Sequence, residues 1–598
     1  MKASSIAKQS TVITPLAAPN VDVVRESVSI ETLAYAGIVL LAALLRLVNL
    51  SAAPLTVSEA GQALAAFNGT PLPVGGSPLL YAINQLVFGL SGASLGDAGA
   101  RLGAALLGTL LVALPWLYRK SLGRFGALAA ALVLAISPTG VFAARLLDGQ
   151  LLAATFALAA LGFSQRYGAA RRARDLNLAA ITIGLALSSG PGALTLLITI
   201  GLGSISAYRW LASDADRAQL TEILHATAAV RQAALWGGAT LGVVATVALL
   251  NIGAARGVPE ALSAWLAAWR APDEVGPLQL FQVLLVYEPV IVWVGLAGLI
   301  AALRRVNATT TMLGVWSIGA LLIALAQPGR QVTDLTLMLI PLALLAGLAI
   351  QHLIDALLDR GAWGFEGAVW LISAPLIGYL ALTLSGYATD HNSIGNAQLL
   401  GQTMTPLASF AMLMGILALV VGGLFALAMG LSAVLRASAT ALIVVCAISA
   451  IGNVWSVTQL RPGNPHELLW GPTATSPEVR PLIEAVQAAS WRATGHAQQA
   501  AVSVALPHVD PVLAWYLRGF PNAQFTSTPS AAAPIVITPW GVEPPAESGA
   551  YLGAKFVTRR AWTPAALDDA ALLRWWVYRQ AGDPTPMQTL VVWVKPAQ

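Results

Sequence analysis

Glu59, Arg145 and Asp148 are the residues of this chain whose types and placing suit chemistry at a membrane surface. A carboxylate at such a boundary can take the proton from an acceptor hydroxyl and leave a nucleophile behind. A neighbouring arginine can hold a phosphate through the parallel N–H groups of its guanidinium. Together the two suit transfer of a group from a lipid-phosphate carrier. Glu59 lies in a long polar stretch, 51–99, with Ser58, Asn68 and the turn Gly75-Gly76-Ser77-Pro78. Arg145, Asp148 and Gln150 lie in a short one between two apolar runs. A plainer reading stands beside this: loop charges are usually solvated, and Arg145 and Asp148 have the i,i+3 spacing of a surface pair worth about 0.2–0.5 kcal/mol.

The elements that must position these residues are those of a bilayer protein. Of 598 residues, 57% are hydrophobic and 10% charged, against about 25% charged in an average soluble domain. A run of about 20 apolar residues spans a bilayer as a helix. Thirteen spans are predicted, the first seven at 31–50, 100–118, 125–143, 150–166, 176–190, 192–209 and 233–251. The rest fall at 281–303, 311–326, 335–352, 367–386, 405–429 and 437–455. An odd number puts the two ends on opposite sides.

Lys and Arg crowd the N-terminal arm and alternate loops, such as Arg119-Lys120, Arg171-Arg172 and Arg304-Arg305. The opposite loops carry Arg101, Arg145, Arg256, Arg270 and Arg330, and neither residue type occurs between Arg46 and Arg101. The positive-inside rule then places the N-terminus in the cytoplasm and the C-terminus outside a plasma membrane. Glu59, Arg145 and Asp148 share the outer face in this topology. The net charge of +5 reads as topology with lipid headgroups as counter-charge, and no nucleic-acid partner is expected.

Three regions follow. Residues 1–30 form a polar cytoplasmic arm with no apolar core, which argues against a cleaved signal peptide. Residues 31–455 form an all-α polytopic membrane domain with a large first outer loop, 51–99. From 456 to 598 the polarity is ordinary, with Pro-rich turns, predicted strands at 501–506, 534–538 and 589–594, and predicted helices at 478–491 and 509–518. That alternation predicts a small extracytoplasmic α/β domain. The single cysteine, Cys446, falls in a span, so this domain must hold together by packing alone.

No phosphate-cradling loop, dinucleotide fingerprint or zinc-protease helix occurs. His225, His352, His391, His466, His496 and His508 are scattered without ligand spacing. Asn68-Gly69-Thr70 matches a glycosylation sequon, a triplet common by chance.

The segment from Leu45-Arg46-Leu47-Val48 through Ser58-Glu59-Ala60 resembles the first span and outer loop of the GT-C superfamily of membrane glycosyltransferases. Within it the closer likeness is to the dolichyl- or polyprenyl-phosphate-mannose–protein mannosyltransferase branch. Gly103–Arg119, Leu122–Ala127, Ile136-Ser137-Pro138, Ala144-Arg145-Leu146-Leu147, Tyr287-Glu288-Pro289 and Ile340–Gly347 fit the same pattern, dispersed along most of the chain. In the tail, Leu513–Arg518 and Arg574–Arg579 resemble the family's external domain.

The resemblance puts the family's catalytic acid on Ser58, its second-loop acid on Gln150 with Asp148 just before it, and its later basic residue on Arg330. It implies sugar transfer from a polyprenyl-phosphate donor to an extracytoplasmic protein or glycan acceptor. Glu59 would be the acid or base, with Asp148 assisting it or binding a divalent metal, Mg or Mn. Arg145 and Arg330 would hold the lipid phosphate, and the outer domain would select the acceptor. Ser58 and Gln150 also fit a degenerate homologue that binds lipid-linked sugar as a scaffold subunit in envelope glycosylation. A transporter is disfavoured by the lack of internal repeats and by spans nearly free of charge.

Overall fold

Apolar runs without interior breakers close their backbone hydrogen bonds within themselves, which is what a bilayer demands. The computed structural model describes residues 29–91, 95–210, 227–304, 307–358, 406–471, 473–530, 532–544 and 551–596, with isolated residues between 382 and 403. The first half comprises α1 (Ile30–Leu47), α2 (Val57–Asn68), α3 (Pro78–Ser91), α4 (Gly96–Ala113), α5 (Arg124–Ile136), α6 (Pro138–Ala144) and α7 (Gln150–Ala170). It continues through α8 (Ala173–Leu187), α9 (Gly192–Trp210), α10 (Thr227–Ala245) and α11 (Gly257–Ala267). Then come α12 (Pro277–Tyr287), α13 (Pro289–Arg304), α14 (Ala308–Ala326), α15 (Leu335–Leu358), α16 (Pro406–Met429) and α17 (Leu431–Trp455).

Among the described residues, six helical stretches are long and apolar enough to cross a membrane, or up to eight if each of two bent pairs is one span. Every span expected from the sequence falls on helix except 367–386, which lies outside the described residues apart from 382, 383 and 386. Leu33, Leu40 and Leu44 on α1 and Leu435, Leu442 and Ile448 on α17 are exposed. Apolar faces on that scale are a liability in water and the proper surface in lipid.

Two expected spans are broken. The 125–143 run bends by 62° between α5 and α6, and the 281–303 run by 94° between α12 and α13. Each break precedes a proline, Pro138 and Pro289, whose missing N–H and ring disfavour an unbroken helix. The two breaks hold each other. Ser137 Oγ donates to Glu288 Oε1 at 2.7 Å, and the Thr139 N–H donates to the same oxygen at 2.7 Å. Buried Glu288 thereby satisfies the start of α6, and α6 leads straight into the turn that carries Asp148.

Beyond α17 a six-stranded sheet is built from β1 (Thr473–Thr475), β2 (Val502–Ala505), β3 (Ala523–Thr526), β4 (Ile535–Pro539), β5 (Leu552–Ala561) and β6 (Thr585–Val594). Its order is β1-β5-β6-β4-β2-β3. β2 pairs in parallel with β3 and β4, and the other pairs are antiparallel. Helices α18 (Val479–Thr494), α19 (Pro511–Tyr516) and α20 (Asp569–Tyr578) complete the unit.

This unit is seated on the stretch between α1 and α4 by one buried carboxylate. Asp97 accepts from Trp515 Nε1 at 2.8 Å and from the Tyr516 hydroxyl at 2.7 Å, and it pairs with Arg480 at 3.3 Å. Leu55, Ala60, Val479, Val512 and Trp515 share one apolar cluster around that contact.

Candidate functional site

The loops at one end of the helical part and the start of the sheet unit enclose a cavity of about 580 Å³. Ser58, Glu59, Asp148, Arg330, Trp470 and Arg559 are among its lining residues. A second cavity of about 310 Å³ shares Asp148 and Gly149 with it and adds Gln150 and Asp334. Four of the residues singled out in the sequence therefore meet on one wall, and Gln150 looks onto the adjoining space. Arg145 lines neither.

Glu59 is held by four donors. Thr56 and Glu59 form a capping box at the start of α2: the Thr56 N–H donates to Glu59 Oε2 at 2.9 Å and the Glu59 N–H to Thr56 Oγ1 at 3.3 Å. Arg101 grips the carboxylate as a fork, Nε to Oε1 at 2.8 Å and Nη2 to Oε2 at 2.7 Å. The Leu147 N–H donates to Oε1 at 3.1 Å. With about four lone-pair sites on a carboxylate, none is left for an incoming hydroxyl. Arg101 is equally committed, its remaining N–H groups going to the carbonyls of Leu50, Ala53 and Pro54.

Arg145 directs its Nη groups to backbone carbonyls and lines neither cavity. Its Nη1 donates to the carbonyls of Leu45, Arg46 and Val48, and its Nη2 to that of Asn49 at 2.6 Å. These are the orphan carbonyls at the end of α1, so Arg145 caps that helix. Arg330 does a similar job for α14 through Ala324 and Leu325, and pairs with Asp273 at 2.7 Å. Of its five N–H groups, one on Nη2 has no acceptor among the described residues, and the side chain lines the larger cavity.

Asp148 differs from all of these. Its turn is pinned on both sides, by Arg145 on α1 and by the Leu147 N–H on Glu59. Oδ1 accepts from the Gln150 N–H at 3.0 Å, and Oδ2, out of solvent, has no hydrogen-bond partner. Burial pushes this carboxyl above the usual carboxylate range and the Glu59 charge adds to the shift; the nearby Thr333 hydroxyl, foremost, and the Gln150 and Gly149 N–H groups oppose it. A half-buried, under-satisfied carboxyl on a residue that lines open volume is a candidate general base. Gln150 Oε1 is also unpartnered and lies against Gly192, and exposed Ser58 offers the larger cavity only a hydroxyl.

Gly149 lets this turn sit where it does. A Cβ there would stand 1.6 Å from the Ser189 carbonyl oxygen. Gly149→Ala must displace the turn, and thermal unfolding of the variant is expected to show a loss of roughly 1–3 kcal/mol or more. Wild-type unfolding would mean that the turn is not seated against Ser189.

Asp148 and Asp334 are the carboxylates of the smaller cavity, and no cluster of three His, Cys, Asp or Glu side chains able to hold a metal occurs among the described residues.

No family model matches the chain, and no curated protein does. Solved structures do resemble it. ArnT from Cupriavidus metallidurans bound to undecaprenyl phosphate is 17% identical over 82% of this chain and 85% of that one, with a TM-score of 0.49. The same protein in the apo state is 18% identical over the same shares, at 0.48. The Archaeoglobus fulgidus oligosaccharyltransferase tethered with an acceptor peptide is 13% identical over 85% of this chain and 69% of that one, at 0.46.

Three residues of the site escape a reading of the sequence. Arg101 counts there only as an outer-loop charge, although the Thr56-x-x-Glu59 spacing is a capping-box signature that marks Glu59 as structural. Trp470, edge-on to Phe142 at 4.8 Å, sits in a stretch with no local motif. Arg559 reaches the cavity through strand pairing that no local pattern reveals.

Proposed function

We propose that this chain is an integral membrane glycosyltransferase of GT-C architecture. It moves a sugar from a polyprenyl-phosphate carrier to an acceptor hydroxyl on the outer side of the plasma membrane, with Asp148 as the base. The under-satisfied carboxyl of Asp148, a residue that lines the 580 Å³ cavity, carries this reading. The acceptor's O–H proton passes to that oxygen. The freed oxygen lone pair bonds to the anomeric carbon, the bond from that carbon to the phosphate oxygen breaks, and the polyprenyl phosphate departs with the electron pair. Arg330 faces the departing phosphate with its remaining N–H. Glu59, Arg101 and Arg145 act by fixing the Asp148 turn. Trp470 offers an apolar face to the sugar, and the external domain presents the acceptor, protein or glycan. Mannose is the first sugar to try, given the sequence likeness to the mannosyltransferase branch.

The test is a transfer assay with the purified chain in lipid bilayers, offering polyprenyl-phosphate sugars on an undecaprenyl carrier with peptide and glycan acceptors. Acceptor-dependent release of polyprenyl phosphate is the expected result. Ser58 motivates a second reading, a homologue that binds lipid-linked sugar as a scaffold subunit without turnover. Donor binding with no release from any donor would favour it.

A further inference from the structure

The cavity's least committed cation belongs to the external domain. Arg559 lies in β5, where it pairs in register with Thr475 of the edge strand β1 and with Gln588 of β6. The β5–β6 register slips on both sides of it, between Val557 and Arg559 and between Arg559 and Arg560. Such bulges re-aim a side chain out of the regular alternation. Its neighbour Arg560 is paired with Glu478, whereas Arg559 and Thr473–Thr475 line the 580 Å³ cavity.

One contact anchors the Arg559 guanidinium: Nη2 donates to Asp510 Oδ2 at 2.8 Å. Asp510, itself buried, is fixed by the Val512 N–H at 2.9 Å and by Gln588 Nε2 at 3.1 Å. Nε of Arg559 is out of solvent without an acceptor, and Nη1 has none among the described residues. Four of the five N–H groups are thus left over in a side chain whose direction is already set. Arg330, by contrast, has one. The Val332–Asp334 turn that follows Arg330 and the Leu468–Trp470 turn that leads into β1 pack in one cluster, so the two arginines flank the same space from the membrane part and the external part. A planar fork with free N–H groups, half-withdrawn from water, matches the oxygens of a phosphate better than it matches a neutral sugar.

We propose that Arg559 binds the phosphate of the polyprenyl-phosphate donor, so that the external domain completes the donor site as well as presenting the acceptor. This rests on the polyprenyl-phosphate reading above. Asp510 positions Arg559, and the β5 bulge aims it.

The test measures binding of undecaprenyl phosphate and of undecaprenol, which lacks the phosphate, to the full chain in lipid nanodiscs. Wild type, Arg559→Gln and Arg559→Lys are compared. Arg559→Gln keeps an amide for Asp510 and is expected to bind undecaprenyl phosphate about tenfold or more weakly, with undecaprenol binding unchanged. Arg559→Lys, a point charge without the fork, should fall between the two. Wild-type affinity for undecaprenyl phosphate in folded Arg559→Gln would overturn the assignment. Should that variant not fold, equal affinity in Arg559→Lys and wild type would overturn it instead. A wild type that does not distinguish undecaprenyl phosphate from undecaprenol would sink the donor reading itself, a result separable from failure of Arg559 alone.

Discussion

Asp148→Asn is expected to lower transfer by about 10²–10⁴-fold, the usual contribution of a positioned base, while raising the thermal midpoint at neutral pH. Both halves come from one observation, an out-of-solvent Oδ2 with no partner in a carboxyl that burial has pushed up. The folded chain binds the Asp148 proton more tightly than the unfolded chain. The stability contributed by the protonated form is therefore fully present below the ordinary carboxylate range, and it is lost as pH rises through the raised folded value. At neutral pH the carboxylate is a cost to the fold, and an amide of nearly the same shape removes it. The same shift fixes the pH dependence of the reaction. Transfer requires the ionised carboxyl, so activity should fall as pH drops through the raised value, at higher pH than for an ordinary aspartate. A thermal scan and a pH–rate profile check the two halves. A variant that loses turnover and also loses stability would mean that Asp148 holds the turn together rather than serving as the base.

Glu59→Gln is expected to behave in the opposite way. Glu59 and Arg101 are 2% and 3% exposed at their side chains and meet at 2.7 Å. Removing one partner of a buried pair leaves the other charge uncompensated, at a cost of about 3–5 kcal/mol. Glutamine can still serve the capping box with Thr56, yet it cannot return the Arg101 fork. The expected result is a strong fall in the thermal midpoint and in the yield of folded protein, with turnover per folded molecule largely kept. Purified variant compared by unfolding and by specific activity decides this. Unchanged stability with turnover abolished would return the base role to Glu59.

These two residues mark what could be read from sequence. That the segments carrying Ser58, Glu59, Asp148 and Arg330 lie on one side of the helical part was legible, because apolar runs fix which loops share a side. Which of the carboxylates is free was not. Glu59 is filled by Arg101, distant in sequence, and by a backbone N–H from the Asp148 turn itself. The capping role of Arg145 was hidden for a similar reason: its partners are the carbonyls ending α1, and no spacing rule reports a helix end from another helix. The two broken helices were read as single spans because hydropathy averages over a proline. Their Ser137-Pro138 and Glu288-Pro289 steps did carry the signal.

In the C-terminal sheet unit the strands at 501–506, 534–538 and 589–594 were visible as β-branched runs, and they correspond to β2, β4 and β6. The ten-residue β5 was not. Gly553, Ala554, Lys555, Arg559 and Arg560 dilute its β-propensity, and pairing with β6 and β1 supplies what propensity lacks.

The most direct measurement is acceptor-dependent release of polyprenyl phosphate per mole of folded protein, with wild type and Asp148→Asn side by side in the same bilayers. The account predicts release by wild type and its loss, by about 10²-fold or more, in a variant that is folded and at least as heat-resistant. Release by folded Asp148→Asn at the wild-type rate would contradict it.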